Sequence, residues 1–276
     1  MEPPPSKKKR KANAPPHTTA SSCTMDLDSI AAAATASCRT PLLQRIATVE
    51  DACGLDLYAC ADAVDVATCR AVINLVSDTL FSGGEGGGID GVDQQPCYQI
   101  DLIDPAPARV SALPLKRRLF FLVVAPLLRV LRDELNTRFV PPCASATPTL
   151  RLVQCFVRRY QPGERVELST HRDMSQLTIN VLLSDPAIDF SGGGCYLFGD
   201  TKHGTDSAAD RERCRVVEGE TQGAALIHSG QLLHGALPTT SGVRYILVLF
   251  FQLHGYHCKF VKPKRPSFKF DFVRTK

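Results

Sequence analysis

Val243-Arg244-Tyr245-Ile246-Leu247-Val248-Leu249-Phe250 is the stretch on which the fold turns. Apart from Arg244 it is apolar or aromatic throughout, and in an extended chain successive side chains point to opposite sides. A strand that is apolar on both sides belongs between two layers of a domain. Arg244 shares its side with Ile246, Val248 and Phe250. An arginine facing inward needs an anionic partner, because an uncompensated buried charge is costly. A guanidinium matches a carboxylate through two parallel hydrogen bonds. The residues alone leave two partners open: a protein Asp or Glu, or the carboxylate of a bound ligand.

The same texture extends backwards to Thr149. Arg151 to Tyr160, Leu177 to Leu183, Cys195 to Phe198, Arg213 to Val217 and Ala224 to His228 are short, rich in β-branched or aromatic residues, and bounded by Gly, Pro, Ser or Asp. Such spacing predicts a sandwich or jelly roll. Before Thr149 the pattern is helical. Asp62 to Leu80 carries Val64, Val72, Leu75, Val76 and Leu80 at near-helical spacing, and Leu113 to Asn136 reads as a second helix, bent or restarted at Pro126. Between them Ser82 to Gly91 is glycine-rich without the Gly-Lys-Ser/Thr ending of a phosphate loop, and reads as a flexible linker. The expected fold is therefore mainly β with helical support. It comprises a basic arm at 1–40, a helical region at 41–149, a jelly-roll (double-stranded β-helix) core at 150–253 and a basic tail at 254–276.

Composition narrows the class. The chain has 276 residues, 44% of them hydrophobic, and a formal net charge of +4, enough apolar material for one sizeable core. Its eleven cysteines show no CxxC pair, and the Pro- and Lys-rich start has no apolar signal core, so we expect reduced, mostly buried thiols in an intracellular protein, nuclear or cytoplasmic. Leu119 to Leu128 is too short an apolar run to span a bilayer, and no membrane association is expected. Ser6-Lys7-Lys8-Lys9-Arg10-Lys11 has the form of a nuclear address, and with the basic tail it leaves nucleic acid open as a partner.

The chemistry gathers in three places. In Thr170-His171-Arg172-Asp173, a strand would put His171 and Asp173 on one side, an imidazole next to a carboxylate. Two histidines and one carboxylate on one face of an octahedral metal are the donor set of non-heme Fe(II) oxygenases. The second histidine must come from a distant strand, and His228 and His234 both qualify, whereas His203 lies in a polar loop. Thr178, Asn180 and Leu182 share one side of their strand, which fits the wall of a wet pocket, and Tyr160 ends the preceding strand where its hydroxyl can reach the same space.

Taken in order, Arg159-Tyr160, His171-x-Asp173, Asp189-Phe190-x-Gly192-Gly193-Gly194, His234 and Arg244-Tyr245 resemble the prolyl and lysyl hydroxylase branch of the 2-oxoglutarate oxygenases. The likeness is strongest to the catalytic domain of procollagen lysyl hydroxylases, through Leu177-Thr178-Ile179-Asn180-Val181, Gly192-Gly193-Gly194-Cys195 and Leu237-Pro238-Thr239-Thr240-x-Gly242-x-Arg244-Tyr245. In that family the distal histidine lies ten residues before the basic co-substrate residue, which selects His234. The resemblance implies His171, Asp173 and His234 as ligands to Fe(II), Arg244 on the far carboxylate of 2-oxoglutarate, and Asn180, Tyr160 and Thr178 around that co-substrate. It also implies hydroxylation of a C–H bond with release of succinate and CO2, and ascorbate to keep the iron reduced. The expected substrate is a peptidyl lysine or proline of an intracellular protein rather than collagen. Two other readings are a nucleic-acid dealkylase of the same superfamily and a non-catalytic jelly-roll binding module.

Overall fold

The structure, a computed structural model, describes residues 44–45, 57–105, 108–139, 149–197, 215–217, 221–254, 257–259 and 271–273. The basic arm, most of the basic tail and His203 lie outside the described residues.

In chain order the strands are β1 (Gln44–Arg45), β2 (Leu57–Cys60), β3 (Gln99–Asp101), β4 (Ile103–Pro105), β5 (Ala108–Val110), β6 (Thr149–Tyr160), β7 (Leu168–His171), β8 (Leu177–Leu182) and β9 (Phe190–Gly192). They continue with β10 (Cys195–Leu197), β11 (Arg215–Val217), β12 (Ala225–Ser229), β13 (His234–Ala236), β14 (Thr239–Gly242), β15 (Arg244–His254), β16 (His257–Lys259) and β17 (Asp271–Val273). The helices are α1 (Val66–Leu75), α2 (Pro114–Leu119) and α3 (Ala125–Phe139).

A seven-stranded sheet in the order β1-β2-β12-β8-β15-β6-β3 faces a four-stranded sheet in the order β11-β10-β13-β7, and all these pairings are antiparallel. This is the expected jelly-roll core. β15 lies inside the large sheet, between β8 and β6, and sorts its side chains by parity. Tyr245, Leu247, Leu249, Phe251 and Leu253 enter the main core with Val72, Val76, Leu119 and Leu128 of the helical layer. Ile246 and Val248 enter a second cluster with Phe156, Leu168 and Leu182, on the side of the small sheet. The helices thus back one side of the large sheet, and the other side is left for the site.

Local chemistry sets the helix ends. Asp65 caps α1 by accepting from the Thr68 amide and hydroxyl, both at 2.8 Å. Expected irregularity at Pro126 appears one residue earlier: the π-helical segment Phe120–Val124 joins α2 to α3, with the Ala125 amide donating to the Phe120 carbonyl. That wider turn carries the helix past a proline that has no amide to donate.

Two expectations for residues 41–149 need correction. The region is not purely helical, since β2 adds to β12 and β3 adds to β6, each as part of the large sheet. Strands of three or four residues are too short to show an alternation. Nor is the glycine-rich segment a flexible linker. The Gly86 and Gly88 carbonyls accept from Gln99 and Cys97, Glu85 pairs with Lys116 at 2.6 Å, and Asp90 is buried against Arg158 at 2.7 Å. Cys60, Cys69, Cys155 and Cys195 are buried thiols and Cys97 is partly covered.

Candidate metal centre and its pocket

His171 ends β7 and His234 begins β13, and the two residues stand directly opposite one another in the small sheet. Cross-strand register therefore does what sequence distance cannot, and sets the two rings 4.4 Å apart between centroids. Asp173 does not share a strand with His171 as expected, because β7 stops at His171. Its position comes instead from its own amide, which donates to the Gly230 carbonyl at 2.8 Å. Asp173 Oδ1 then lies 3.2 Å from His171 Nε2 and 3.6 Å from His234 Nε2. The three ligand atoms all fall within 4.8 Å of one another.

Hydrogen bonds fix which atoms point inward. His171 Nδ1 donates to the Ser169 carbonyl and His234 Nδ1 to the Leu232 carbonyl, each at 2.8 Å. A carbonyl only accepts, so both protons sit on Nδ1 and both Nε2 lone pairs face Asp173. Burial pushes His234 down to about 3 against the pull of the Asp173 carboxylate, so this ring is neutral at ordinary pH. Burial opposes the charge on Asp173, but the surrounding imidazoles of His234, His171 and His228 outweigh it and hold the carboxyl well below the usual range. A charged carboxylate beside the neutral His234 imidazole is the protonation state that a divalent cation requires. The donor set, two nitrogens and one oxygen, suits Fe(II).

Thr178, expected beside the co-substrate, is fully buried and donates to Asp173 Oδ2 at 2.5 Å, with the Ser175 hydroxyl donating to it in turn at 2.8 Å. Its observed contact is with the carboxylate ligand. Ser175 was not anticipated, and no sequence signal marks it. His228 is completely buried, with Nδ1 donating to the Ser229 carbonyl at 2.9 Å and Nε2 accepting from Asn180 Nδ2 at 3.2 Å. Both its nitrogens are engaged, and it stands outside the three-ligand cluster.

A cavity of about 590 Å³ holds these groups together: His171, Asp173, His234, Asn180, Tyr160 and Arg244 all line it. Its size is that of an ordinary small-molecule site. Arg244 begins β15 opposite Tyr160 at the end of β6, with its guanidinium carbon 5.3 Å from the centre of the Tyr160 ring. The glycine run does more than turn the chain. Gly193 has φ +77°, and a Cβ there would come within 3.0 Å of Arg244 Cδ and 3.3 Å of its Nε. The absence of a side chain leaves the arginine room to lie in the cavity. Asp189 at the head of this motif is held by Arg70, whose Nη1 donates to both carboxylate oxygens at 2.9 and 2.8 Å and ties α1 to the turn.

No family model matches the chain. Over 102 residues, 36% of this chain, it is 41% identical to the multifunctional procollagen lysine hydroxylase and glycosyltransferase LH3 of Rattus norvegicus. Over 99 residues it is 39% identical to procollagen-lysine,2-oxoglutarate 5-dioxygenase 1 of Gallus gallus. The chain spans only 12% of the length of either relative. Among solved structures, a 2OG-Fe(II) oxygenase family oxidoreductase from Burkholderia pseudomallei aligns with 68% of this chain and 80% of its own, with a TM-score of 0.48 and 15% identity. A Pseudomonas putida prolyl-4-hydroxylase aligns with 71% of this chain and 91% of its own, with a TM-score of 0.45 and 16% identity. Over that hundred-residue stretch the chain is similar to the procollagen lysyl hydroxylases.

Proposed function

We propose that the protein is an Fe(II)- and 2-oxoglutarate-dependent dioxygenase that hydroxylates a peptidyl lysine or proline. The observation that carries this reading is the meeting of His171, Asp173 and His234 in the same cavity as Arg244. The sequence likeness to lysyl hydroxylases points to a peptide as substrate.

Bound together, Fe(II) and 2-oxoglutarate supply the oxidising power: dioxygen is split between succinate, formed with CO2, and the hydroxyl group placed on the substrate. The chain's share is positioning. The backbone carbonyls of Ser169 and Leu232 hold the two imidazoles in one tautomer, and Thr178 with Ser175 holds the carboxylate. His171, Asp173 and His234 would hold the metal, and three protein donors would leave it positions for the co-substrate and dioxygen. Arg244 supplies the countercharge for the far carboxylate of 2-oxoglutarate, with Tyr160 beneath it and Asn180, steadied by His228, on the cavity wall. Apolar walls from Leu168, Leu182, Ile246 and Val248 keep bulk water away from the reaction.

Ascorbate would serve to keep the iron reduced. An intracellular site of action, nuclear or cytoplasmic, follows from the basic run at residues 6–11, and a reporter fused to residues 1–40 with and without those lysines tests it. No helix among the described residues is long and apolar enough to cross a membrane. The test of the main reading is succinate release from 2-oxoglutarate, with Fe(II) and ascorbate, against pools of lysine- and proline-containing peptides scored for a gain of one oxygen. Methyl loss from alkylated oligonucleotides with no oxidised peptide would replace it with a nucleic-acid dealkylase. Absence of succinate with every substrate would favour a binding module.

A further inference from the structure

We propose that the mouth of the cavity is a docking surface for an extended peptide that carries a large apolar side chain close to the residue being modified. The inference rests on the dioxygenase reading and adds the chemistry that flanks the target residue.

Ile89 is 63% exposed, Val92 40% and Met174 91%, yet all three line the cavity that holds the metal ligands. Single exposed apolar side chains are ordinary. Here three of them, from two segments far apart in sequence, ring one opening, and the lining continues inward through Phe156 and Phe250. A rim of that kind marks a surface that covers itself with a partner.

The rim is held in place before anything binds. Ile89 bridges to Pro96, the Val92 amide donates to Asp90 Oδ1 at 2.9 Å, and Asp90 is clamped by Arg158. Arg165 adds a bond to Asp93 at 2.7 Å and another to the Pro96 carbonyl at 3.0 Å. Two buried arginines therefore fasten the whole segment to the end of β6 and the turn that follows it. Apolar side chains on a fixed frame lose little conformational freedom when they are covered, and more of the burial appears as affinity.

Charge separates a peptide from a nucleic acid as the occupant. A phosphate backbone is held by cations along its track. Among the described residues the cavity lining includes no lysine, Arg158 is committed to Asp90 and Gln99, and Arg172 donates to the Gln231 carbonyl at 3.0 Å. The mouth thus offers apolar contact where a nucleic acid would need positive charge.

The experiment uses the full chain with Fe(II), 2-oxoglutarate and ascorbate. Twelve-residue peptides with a central lysine or proline carry either leucine and phenylalanine or serine at the flanking positions, and a single-stranded oligonucleotide pool with methylated bases is run beside them. The expected result is oxidation of the apolar-flanked peptides at least tenfold more efficient than of the serine-flanked ones. Ile89→Asp should erase roughly that preference by raising KM for the apolar set, with its melting temperature and Fe(II) binding reporting the fold. Met174→Gln, the milder change at a more exposed position, should reduce the preference in the same direction. Equal use of both peptide sets, or a preference that survives both substitutions, overturns the docking surface and leaves the dioxygenase standing. Turnover of the oligonucleotides alone overturns the peptide in favour of a nucleic acid, and no succinate with any probe overturns both readings.

Discussion

In the large sheet β15 runs eleven residues and pairs along its length with β6, whereas in the small sheet β7 and β13 are four and three residues long. Both sheets face the same cavity, and they hold their side of it by different means. The large sheet is anchored by burial: Leu247, Leu249 and Phe251 have no exposed surface. At the small sheet and in the loop after β7, each functional group is fixed by its own polar bond, His171 to Ser169, His234 to Leu232 and Asp173 to Gly230 and Thr178. The contrast implies that damage to the core-facing side of the large sheet is felt as lost stability, and damage to the groups that bond the ligands as lost metal affinity.

The largest effect is expected at the ligands. Asp173→Ala and His234→Ala should each reduce Fe(II) affinity by well over about 100-fold, since a supporting hydrogen bond alone is worth 10- to 100-fold. His228→Gln should retain metal binding, because His228 spends its nitrogens on Ser229 and Asn180. Equilibrium dialysis of iron distinguishes these outcomes, and metal lost from the His228 variant alone would reverse the assignment. Next, Leu249→Ala opens a hole in the large sheet and should cost about 2–5 kcal/mol of unfolding free energy. Urea melts of the metal-free protein measure it, and the comparison fails if stability is intact while Fe(II) binding collapses.

Thr178→Val removes the hydroxyl that bonds Asp173 and keeps the shape. It should weaken Fe(II) binding by about 10- to 100-fold with little change in the melting temperature of the metal-free protein. The smallest effect belongs to the helical layer, remote from both sheets' inner sides. Asp65→Ala should cost about 1 kcal/mol through loss of the α1 cap. Hydrogen bonding from the Thr68 amide lowers the Asp65 carboxyl below its ordinary value. A depressed folded-state pKa adds stability above the unfolded value and loses it as pH falls through the folded value, so the wild-type advantage should shrink in acid below about pH 4. A difference that grows towards acid pH would contradict this account of the cap.

The same contrast governs what could be read in advance. β15 and β8 were legible because burial on both sides leaves long apolar runs, and parity along β15 already separated Arg244, Ile246, Val248 and Phe250 from the core-facing residues. β9, β13 and β14 escaped notice, and the strand at His171 was carried too far, because three or four residues, several of them polar or glycine, carry no period. His171 and Asp173 were picked out as a pair, but not the bond to Gly230 that places Asp173, since backbone partners leave no trace in residue identity. Thr178 was recognised as polar on a pocket-facing strand, and only the fold reveals that its hydroxyl is spent on Asp173. Asp90, Arg158 and Arg165 meet across some seventy residues of chain, and composition alone made their loop look like a linker.

The central claim is that one cavity binds a metal on the small sheet and a dicarboxylate on the large one. Anaerobic titration of the Fe(II)-loaded protein with 2-oxoglutarate, followed by the visible absorbance that a chelated keto acid gives, tests it most directly. The account predicts a saturable band in the wild type and no band in His234→Ala. It predicts a midpoint raised about 30-fold or more in Arg244→Ala, the consequence of losing roughly 2 kcal/mol or more from a partly buried charge pair. A full band in His234→Ala, or an unchanged midpoint in Arg244→Ala, would contradict it.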